Sequence, residues 1–443
     1  MSVATSAARQ LVRILLRVAV IRRELTRRIG EGNVSRTYQH AERRIAQWLP
    51  SALRRVLEVF ADSGAAAFLV GGSLRDAFLD RQASDWDVAT DLIPSEVGRL
   101  FARVYATGER HGTVTVVEDG IPIEVTTFRC EGPYLDGRRP SHVEFTSSID
   151  DDLARRDFTM NALAFDPLES KWVDPFDGAR DIEAGLIRCV GDPLERFRED
   201  GLRPMRAIRF ASTLDFRLDT RTEAALGALP ETFAQVAWER KQVELEKLLV
   251  GPSVRVALNL LENTGLLELM MPELIGGGED LAGLEALPRE PWLRFTGWGV
   301  KRGLYGVRLE TLAKRLKASR KVRRSVADWS AAFVAAGDEI SDGAGFRRWL
   351  ASFGVEALVG AVELLVAFGR VTPAWARRAR RRLRHPPAYR VDDLALGGRD
   401  LLALGFSGAE LGRAQKRLLD LVLEAPQRNS PTPQIRRSTS PIP

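Results

Sequence analysis

Residues 67–90 read AFLVGGSLRDAFLDRQASDWDVAT, and this stretch decides the fold. The apolar run 67–70 predicts a short strand that ends at two glycines, and the residues from Leu74 to Leu79 predict a helix. Residues 85–87 then open a second predicted strand. A strand, a glycine turn, a helix and a second strand in this order predict a mixed α/β unit.

The glycine turn can form a cradle for phosphate groups. Gly71 and Gly72 let backbone N–H groups approach an anion, and the start of the following helix adds partial positive charge. Arg75, just inside that helix, can add a charge-assisted contact to a triphosphate. An ordinary tight turn is the alternative for any Gly-Gly pair.

Asp85 and Asp87 lie two positions apart at the second predicted strand. Residues at this spacing point to the same face of a strand, so both carboxylates can reach one metal ion. Mg²⁺ prefers oxygen ligands and leaves room for substrate phosphates, so a carboxylate pair beside a phosphate cradle suits nucleotidyl transfer. Glu124, in the predicted strand 121–128, can complete a triad. Solvent-exposed strand positions are the alternative for all three carboxylates.

Residues 155–162 read RRDFTMNA. Arg155 and Arg156 are donors suited to a triphosphate, and Asp157 with Asn161 provides acceptors for ribose hydroxyls. The alternative is that Asp157 caps a helix and that the arginines form a solvated patch.

The remaining sequence divides into a strand-containing part and a helical part. Apolar spacing predicts a helix from Tyr38 to Phe60 that is interrupted at Pro50. Strands are predicted over 67–70, 86–90, 113–117, 121–128 and 163–165. Beyond Asp181 strand signals almost vanish, and helices are predicted over 202–214, 240–249, 254–261, 362–368 and 411–423. The pattern predicts an α+β chain in which a mixed α/β head precedes an all-helical half.

Composition narrows the class of protein. The chain has 443 residues, 45% of them hydrophobic, which is enough for two or three packed units. Cys130 and Cys189 are the only cysteines, so a disulfide scaffold and a multi-cysteine zinc site are excluded and the cytoplasm is the default location. The net charge of +6 suits a polyanionic partner, but only eight of the 65 basic residues are lysine, so a genomic preference for arginine is an equal alternative.

Both ends of the chain are predicted to lie outside the folded part. Residues 1–37 are basic, and their apolar stretch is too short and too charged to span a bilayer. We interpret them as a dispensable extension or a start codon placed too early, with an organellar import sequence or a surface-lying amphipathic helix as alternatives. Residues 427–443 are rich in Pro, Ser, Thr and Arg, which predicts disorder.

Four motifs follow one another in a fixed order. They are GGSLRD (71–76) with DWD (85–87), RRDFTMNA (155–162), DPFDG (174–178), and EDGLR (199–203) with Arg206 and Arg209. In this order they resemble the motifs of class II tRNA nucleotidyltransferases and bacterial poly(A) polymerases. The resemblance is strong over about residues 64–275 and looser over 397–423.

The resemblance implies a role for each motif near the phosphates. Gly71, Gly72 and Arg75 would hold the triphosphate. Asp85 and Asp87 would bind Mg²⁺. One Mg²⁺ would activate the RNA 3′ hydroxyl and another would neutralise the leaving pyrophosphate, so that no side-chain base is required. Arg155, Arg156 and Asp157 would contact phosphate and ribose.

The resemblance also implies that Asp200 and Arg203 select the incoming base, with Arg206 and Arg209 supporting them or the phosphates. Their three-residue spacing agrees with one side of a helix, and Pro204 places Asp200 and Arg203 at or before its first turn. A carboxylate and a guanidinium can read the exocyclic amino group and ring acceptors of C and A. A plain basic helix with Asp200 near its N-terminal end is the alternative.

By the same resemblance, the chain comprises a basic extension (1–37), a nucleotidyltransferase head (38–180), a helical neck with the nucleotide-selecting helix (181–275), a helical RNA-binding body and tail (276–426) and a disordered C-terminus (427–443). The arginine cluster within 377–384 is a candidate RNA surface, or else a solvated face.

The expected activity is Mg²⁺-dependent addition of CCA to the 3′ end of tRNA from CTP and ATP, with no membrane partner. Segment 127–145 resembles the flexible loop that CCA-adding and A-adding members keep, which disfavours CC-only addition. The four histidines lack metal-ligand spacing, which argues against an accessory phosphohydrolase site. A-only addition and poly(A) synthesis remain alternatives, and a non-catalytic RNA-binding relative is an alternative of another class.

Overall fold

The computed structural model describes residues 36–83, 85–131, 143–276, 281–336, 340 and 343–430. The predictions for 1–35 and 431–443 therefore lie outside the described residues. Two compact units account for the chain, one formed by Met1–Ala207 with Phe216–Val236 and the other by Ile208–Asp215 with Ala237–Pro443. The four domain boundaries drawn from the sequence stay a prediction.

Two helices begin the described part of the first unit, α1 over 36–48 and α2 over Ser51–Asp62. Pro50 separates them because it lacks an N–H group and takes an extended conformation, with φ −60° and ψ 143°. Its position confirms the predicted interruption.

A seven-stranded sheet forms the centre of the first unit, in the order β3-β4-β5-β2-β1-β8-β9. The strands of this unit are β1 Ala67–Val70, β2 Asp87–Thr90, β3 Val104–Gly108, β4 Thr113–Glu118, β5 Ile121–Thr127, β6 Arg129–Glu131, β7 Val143–Phe145, β8 Ala164–Asp166, β9 Lys171–Val173, β10 Leu186–Ile187 and β11 Arg217–Leu218. Strand β2 pairs antiparallel with β1 and parallel with β5. The remaining strands form two small two-stranded sheets, β6 with β7 and β10 with β11.

Between β1 and Val236, the described residues form eight further α-helices. They are α3 Gly72–Phe78, α4 Pro94–Leu100, α5 Ile149–Ala154, α6 Gly178–Glu183, α7 Pro193–Glu199, α8 Arg203–Leu214, α9 Thr220–Ala225 and α10 Pro230–Ala234, of which α8 belongs to the second unit from Ile208 onward. The core under the sheet is apolar and includes Phe68, Val70, Phe128 and Leu153, all buried. The central strand β1 is apolar throughout, and Phe68, Leu69 and Val70 are buried although successive residues point to opposite faces of the sheet.

The described residues of the second unit form helices joined by turns and include no strand, as expected. Its helices are α11 Trp238–Leu249, α12 Val254–Asn263, α13 Leu266–Met270, α14 Pro291–Lys301, α15 Val307–Arg315, α16 Arg320–Ala335, α17 Gly343–Ala367, α18 Pro373–Arg384, α19 Gly398–Ala403 and α20 Gly408–Glu424. Arg294 is only 2% exposed. It donates to the carbonyl oxygens of Leu249 (2.8 Å) and Gly251 (2.7 Å), and so satisfies backbone groups at the end of α11.

Among the described helices, α17 is long and apolar enough to cross a membrane by length and composition alone. Gly354 interrupts it with a φ of 78°. Leu358, Val362 and Leu365 are buried among its neighbours, which is the pattern of a core helix.

Candidate functional site

The turn after β1 brings bare backbone against two charged groups. Gly71 takes φ 80° and ψ −140°, a conformation that favours glycine. A Cβ atom there would lie 3.3 Å from Nη1 of Arg156 and 3.6 Å from Oδ2 of Asp87. At the neighbouring Gly72 it would meet the guanidinium of Arg75 at 3.4 Å. The structure thus brings together the predicted glycine turn, one predicted metal-binding carboxylate and two predicted phosphate-binding arginines.

The predicted carboxylates meet through sheet pairing. Asp87 is the first residue of β2 and lies opposite Glu124 of β5 in the parallel register. The expectation that Asp85 also belongs to this strand is wrong, because β2 begins only at Asp87. Asp85 still acts electrostatically on Asp87. Partial burial raises the pKa of Asp87, the charges of Glu124 and Asp85 raise it further, and Arg156 opposes them.

This donor set fits a magnesium ion that is completed by substrate. Within the described part of the chain, no three His, Cys, Asp or Glu side chains form a ready-made metal cage. Mg²⁺ is usually held by one or two carboxylates together with waters and substrate phosphates, so a full protein cage is not required. The repulsion that Glu124 and Asp85 exert on Asp87 is what a divalent cation would relieve.

Arg75 is held in place by neighbouring polar groups. Its Nη1 donates to Oδ1 of Asn161 at 2.7 Å, and its Nε and Nη2 donate to Asp76 at 3.1 and 2.8 Å. The helix residue predicted to contact phosphate is therefore tied to the RRDFTMNA motif.

Asp157 is the hub of that motif. Its Oδ1 accepts from Nδ2 of Asn161 (3.0 Å) and from the backbone N–H of Phe158 (2.8 Å). Its Oδ2 accepts from Nε (2.9 Å) and Nη2 (2.7 Å) of Arg206. Burial alone would raise the pKa of Asp157, but the Arg206 charge, the Asn161 hydrogen bond and the Arg203 charge together lower it to about 2. Asp157 is thus an anchor for Arg206, and the predicted ribose contact stays a prediction.

Arg155 and Arg156 share a carboxylate that lies outside the four motifs. Asp152 of α5 accepts from Nε (3.0 Å) and Nη2 (2.7 Å) of Arg155 and from Nη2 of Arg156 (3.1 Å). An acidic residue three and four positions before two arginines is readable from the sequence as a helical ion-pair spacing. The buried Nε of Arg156 has no hydrogen-bond partner among the described residues.

The segment predicted to select the base has the predicted local geometry. Helix α8 begins at Arg203, so Asp200 lies just before its first turn, where its Oδ1 accepts from the backbone N–H of Leu202 at 3.0 Å. Arg203 is only 7% exposed. Its guanidinium donates to Glu199 (2.5 Å) and to the carbonyl oxygen of Arg155 (2.9 Å). The base-reading role of both residues stays a prediction.

Arg209 belongs to the second compact unit. Its Nε donates to the buried Glu244 at 2.9 Å, and its guanidinium lies 3.4 Å from the ring centre of Phe210. Within that unit it supports packing.

The DPFDG motif packs against the residues that follow Asp157. A Cβ atom on Gly178 would lie 2.3 Å from the carbonyl oxygen of Thr159, so only glycine permits this close packing of α6. Thr159 Oγ1 donates to Asp181 of the same helix at 2.6 Å. Asp174 accepts from the backbone N–H groups of Gly178 (2.7 Å) and Ala179 (3.0 Å). The motif is visible in the sequence, but only the structure shows that it braces residues 159–161.

Helix α18 carries the predicted basic cluster on an exposed face. Trp375, Ala376, Ala379 and Leu383 are buried on its other face. Arg380 is partly buried and pairs with Glu363 at 2.6 Å. The exposed arginines are Arg377, Arg378, Arg381, Arg382 and Arg384. Residues 132–142 of the predicted flexible loop over 127–145 lie outside the described residues.

Comparison with protein families gives two matches. Residues 67–188 match the family described as "Poly A polymerase head domain". Residues 215–275 match the family described as "Probable RNA and SrmB- binding site of polymerase A".

Comparison with individual proteins extends over most of the chain. The CCA-adding enzyme of Lactobacillus helveticus (strain DPC 4571) is 37% identical over 377 residues, which cover 85% of this chain and 93% of that protein. A crystal structure of the Bacillus stearothermophilus CCA-adding enzyme in complex with CTP is 32% identical, has a TM-score of 0.72 and covers 85% of this chain and 93% of that one. The Thermotoga maritima CCA-adding enzyme complexed with tRNA_CCA has a TM-score of 0.63 at 17% identity, covers 90% of this chain and 97% of that one, and shows likeness of fold alone.

Proposed function

This chain belongs to the family of CCA-adding enzymes, and from that premise we propose that it completes the 3′ end of tRNA by adding C, C and A from CTP and ATP. The observation that supports this most directly is the convergence at Gly71, where Asp87 and Arg156 would both lie within 4 Å of a Cβ atom if the residue had one. A metal-binding carboxylate, a cationic donor and bare backbone in one place suit a nucleoside triphosphate.

The triphosphate would be held by the glycine turn and by the arginines around it. Arg75 and Arg156 are fixed by Asn161 and Asp152, so their donors are oriented before substrate arrives. The nitrogen of Arg156 that lies beside the glycine turn is Nη1, which would be 3.3 Å from a Cβ atom on Gly71 and which a phosphate oxygen seated there can contact.

Asp85 and Asp87 would hold Mg²⁺ beside Glu124. When bound, Mg²⁺ would supply a lower pKa for the attacking 3′ hydroxyl and neutralise charge on the phosphates. Positioning by Arg75, Arg155 and Arg156 would align the α-phosphate with that hydroxyl.

Asp200 and Arg203 would choose the base. Both C and A carry an exocyclic amino group that a carboxylate accepts from, while a guanidinium donates to ring nitrogen or carbonyl oxygen. Arg206 would act through Asp157, which it holds with two hydrogen bonds. Because Arg203 is buried against Glu199, its base contact would require a shift of that guanidinium.

The helical part would hold tRNA mainly through its backbone, with the exposed face of α18 as one contact. For the domain boundaries we propose those of the sequence, with a head at 38–180, a neck at 181–275 and a body and tail at 276–426. Cys130 and Cys189 are both free thiols, which supports a cytoplasmic location.

Purified protein should be offered tRNAs that end at the discriminator base, at C and at CC, each with CTP or ATP. Sequential use of CTP, CTP and ATP is expected. Use of ATP only, on the CC substrate, would replace this proposal with A-only addition, and a long ladder of A residues on unrelated RNA would indicate poly(A) synthesis.

A matched pair of variants tests the metal site. Asp85→Ala with Asp87→Ala should abolish incorporation, whereas Asp150→Ala, an exposed carboxylate on α5, should leave it unchanged. Nucleotide incorporation by the double variant would refute the assignment of these two aspartates.

A further inference from the structure

Asp152 is a buried charge that takes no direct part in the proposed reaction. Its side chain is only 1% exposed, and its two oxygens accept hydrogen bonds from both Arg155 and Arg156. A buried carboxylate is retained only when it is paired, and here it is paired twice. The attraction of the two guanidinium groups holds the pKa of Asp152 below its usual value against the opposing effect of burial.

The two arginines lead from Asp152 to different parts of the site. Arg156 reaches the glycine turn, where its Nη1 would lie 3.3 Å from a Cβ on Gly71, and its charge acts on Asp87. The backbone carbonyl of Arg155 accepts from Nη2 of Arg203 at 2.9 Å. Asp152 thus holds Arg156, whose guanidinium lies at the glycine turn, and Arg155, whose carbonyl group contacts Arg203 at the start of α8.

We propose that Asp152 is a positioning residue for nucleotide binding, which holds Arg155 and Arg156 side by side in the orientation that a triphosphate requires. The inference rests on the proposed function, since it takes these arginines as phosphate ligands.

The physical reason is charge balance between neighbouring cations. Two adjacent guanidinium groups repel each other, and Arg156 also lies near the carboxylate of Asp87. Without Asp152, Arg156 would be drawn toward Asp87 and would compete there with a bound cation. With Asp152 in place, Arg156 is tied from behind by its Nη2, while its Nη1 remains beside the glycine turn.

Three variants separate positioning from mere packing. Asp152→Asn keeps the shape but removes the charge and turns an NH₂ group toward a guanidinium. Asp152→Glu keeps the charge and moves it by one methylene. Asp150→Asn is the matched control, because it removes the same charge from an exposed position of the same helix.

The measurements are the Kd of CTP and of ATP by equilibrium dialysis without tRNA, and the KM for nucleotide and for tRNA in the full reaction. Asp152→Asn should raise the Kd and KM of both nucleotides by about 10- to 100-fold, the range expected for a lost charge-assisted hydrogen bond, with the KM for tRNA unchanged. Asp152→Glu should recover part of this loss, and Asp150→Asn should behave as wild type.

A purely structural role would lower the folded fraction and the apparent kcat while leaving the nucleotide Kd unchanged, and that result would overturn the inference. If Asp152→Asn does not fold, Asp152→Glu decides alone. Its displaced carboxylate should leave the Kd of CTP and ATP above that of the wild-type protein, and an unchanged Kd would contradict positioning. Failure of the proposed function has a different signature: wild-type protein would bind CTP and ATP but extend no tRNA, and the binding comparison among the variants would still decide the role of Asp152.

Discussion

The molecule uses arginine in two different ways. In the first unit, Arg75, Arg155, Arg156, Arg203 and Arg206 are each held by carboxylate, amide or carbonyl oxygens. On α18 of the second unit, five arginines lie on an exposed face, and one of them, Arg382, also lies 5.4 Å from the ring centre of Phe346. The first group places hydrogen-bond donors at fixed positions, and the second produces a positive electrostatic potential on the surface.

The difference shows what each group can recognise. A guanidinium fixed by a buried carboxylate can distinguish one phosphate geometry from another, because its donors do not have to be ordered when the ligand binds. An exposed arginine row attracts any polyanion, and salt screens it. Substitutions in the two groups should therefore differ in size and in kind.

The largest effect is expected at a fixed arginine. Arg156→Ala should lower kcat/KM for CTP addition by about 100- to 1000-fold, the range for loss of one preorganised donor, while Arg378→Ala on α18 should change it less than about threefold. Steady-state kinetics on tRNA lacking CCA measure both. Arg156→Lys should remain strongly impaired because a lysine cannot reproduce the guanidinium fork, and near-wild-type activity of that variant would count against fixed geometry.

A smaller effect, on selectivity, is expected at Arg203. Arg203→Ala should reduce the preference for CTP and ATP over UTP and GTP by about 10- to 100-fold, with a smaller loss of transfer itself, because one base contact is removed. Misincorporation assays with single nucleotides measure this preference. Unchanged preference would show that Arg203 only packs against Glu199.

The next effect concerns stability and pH. Because the pKa of Asp157 is about 2 in the folded protein and about 3.9 in an unfolded chain, the carboxylate stabilises the fold above about pH 4, and this stabilisation is lost as the pH falls toward 2. Asp157→Asn should lower the free energy of unfolding by about 2 kcal/mol at pH 7 and by about half as much at pH 3. Urea unfolding at both values tests this, with Asp150→Asn as control. If the two proteins differ in free energy of unfolding by the same amount at both pH values, the variant has lost packing and not a charge interaction.

The smallest effects are expected on α18. Single changes Arg377→Ala, Arg378→Ala or Arg381→Ala should weaken tRNA binding only a few-fold, and each should reduce the dependence of log affinity on log salt by about one. Binding titrations at several salt concentrations measure this. Arg380→Ala is the comparison within the same helix, because Glu363 already holds that side chain. If the salt dependence of tRNA affinity in every variant equals that of the wild-type protein, α18 does not contact the RNA.

The sequence was most informative where structure depends on local pattern. The strand 67–70, the glycine turn and the break at Pro50 all follow from apolar runs and from the backbone chemistry of glycine and proline, and each was confirmed. The alternation around Glu124 was also confirmed, since Ile123 and Val125 are buried and Glu124 is exposed. Strand β3 was missed because it is an edge strand with exposed residues such as Tyr105 and has little apolar periodicity.

The site was less predictable where it depends on pairing between distant segments. Nothing local shows that Glu124 lies opposite Asp87, because that register comes from the parallel pairing of β2 and β5. The hub at Asp157 depends on Arg206, which is 49 positions away. Asp152 could have been found, since its spacing from Arg155 and Arg156 is that of a helical ion pair.

Gly178 limits how such a protein can evolve. Every single-base change that replaces a glycine codon with another amino acid introduces a Cβ atom, and at this position that atom would lie 2.3 Å from the Thr159 carbonyl oxygen. Position 178 therefore has no compatible neighbour one mutation away. Changes among the polar side chains of 157–161, which orient Arg75 and Arg206, can therefore be accepted only while position 178 remains glycine.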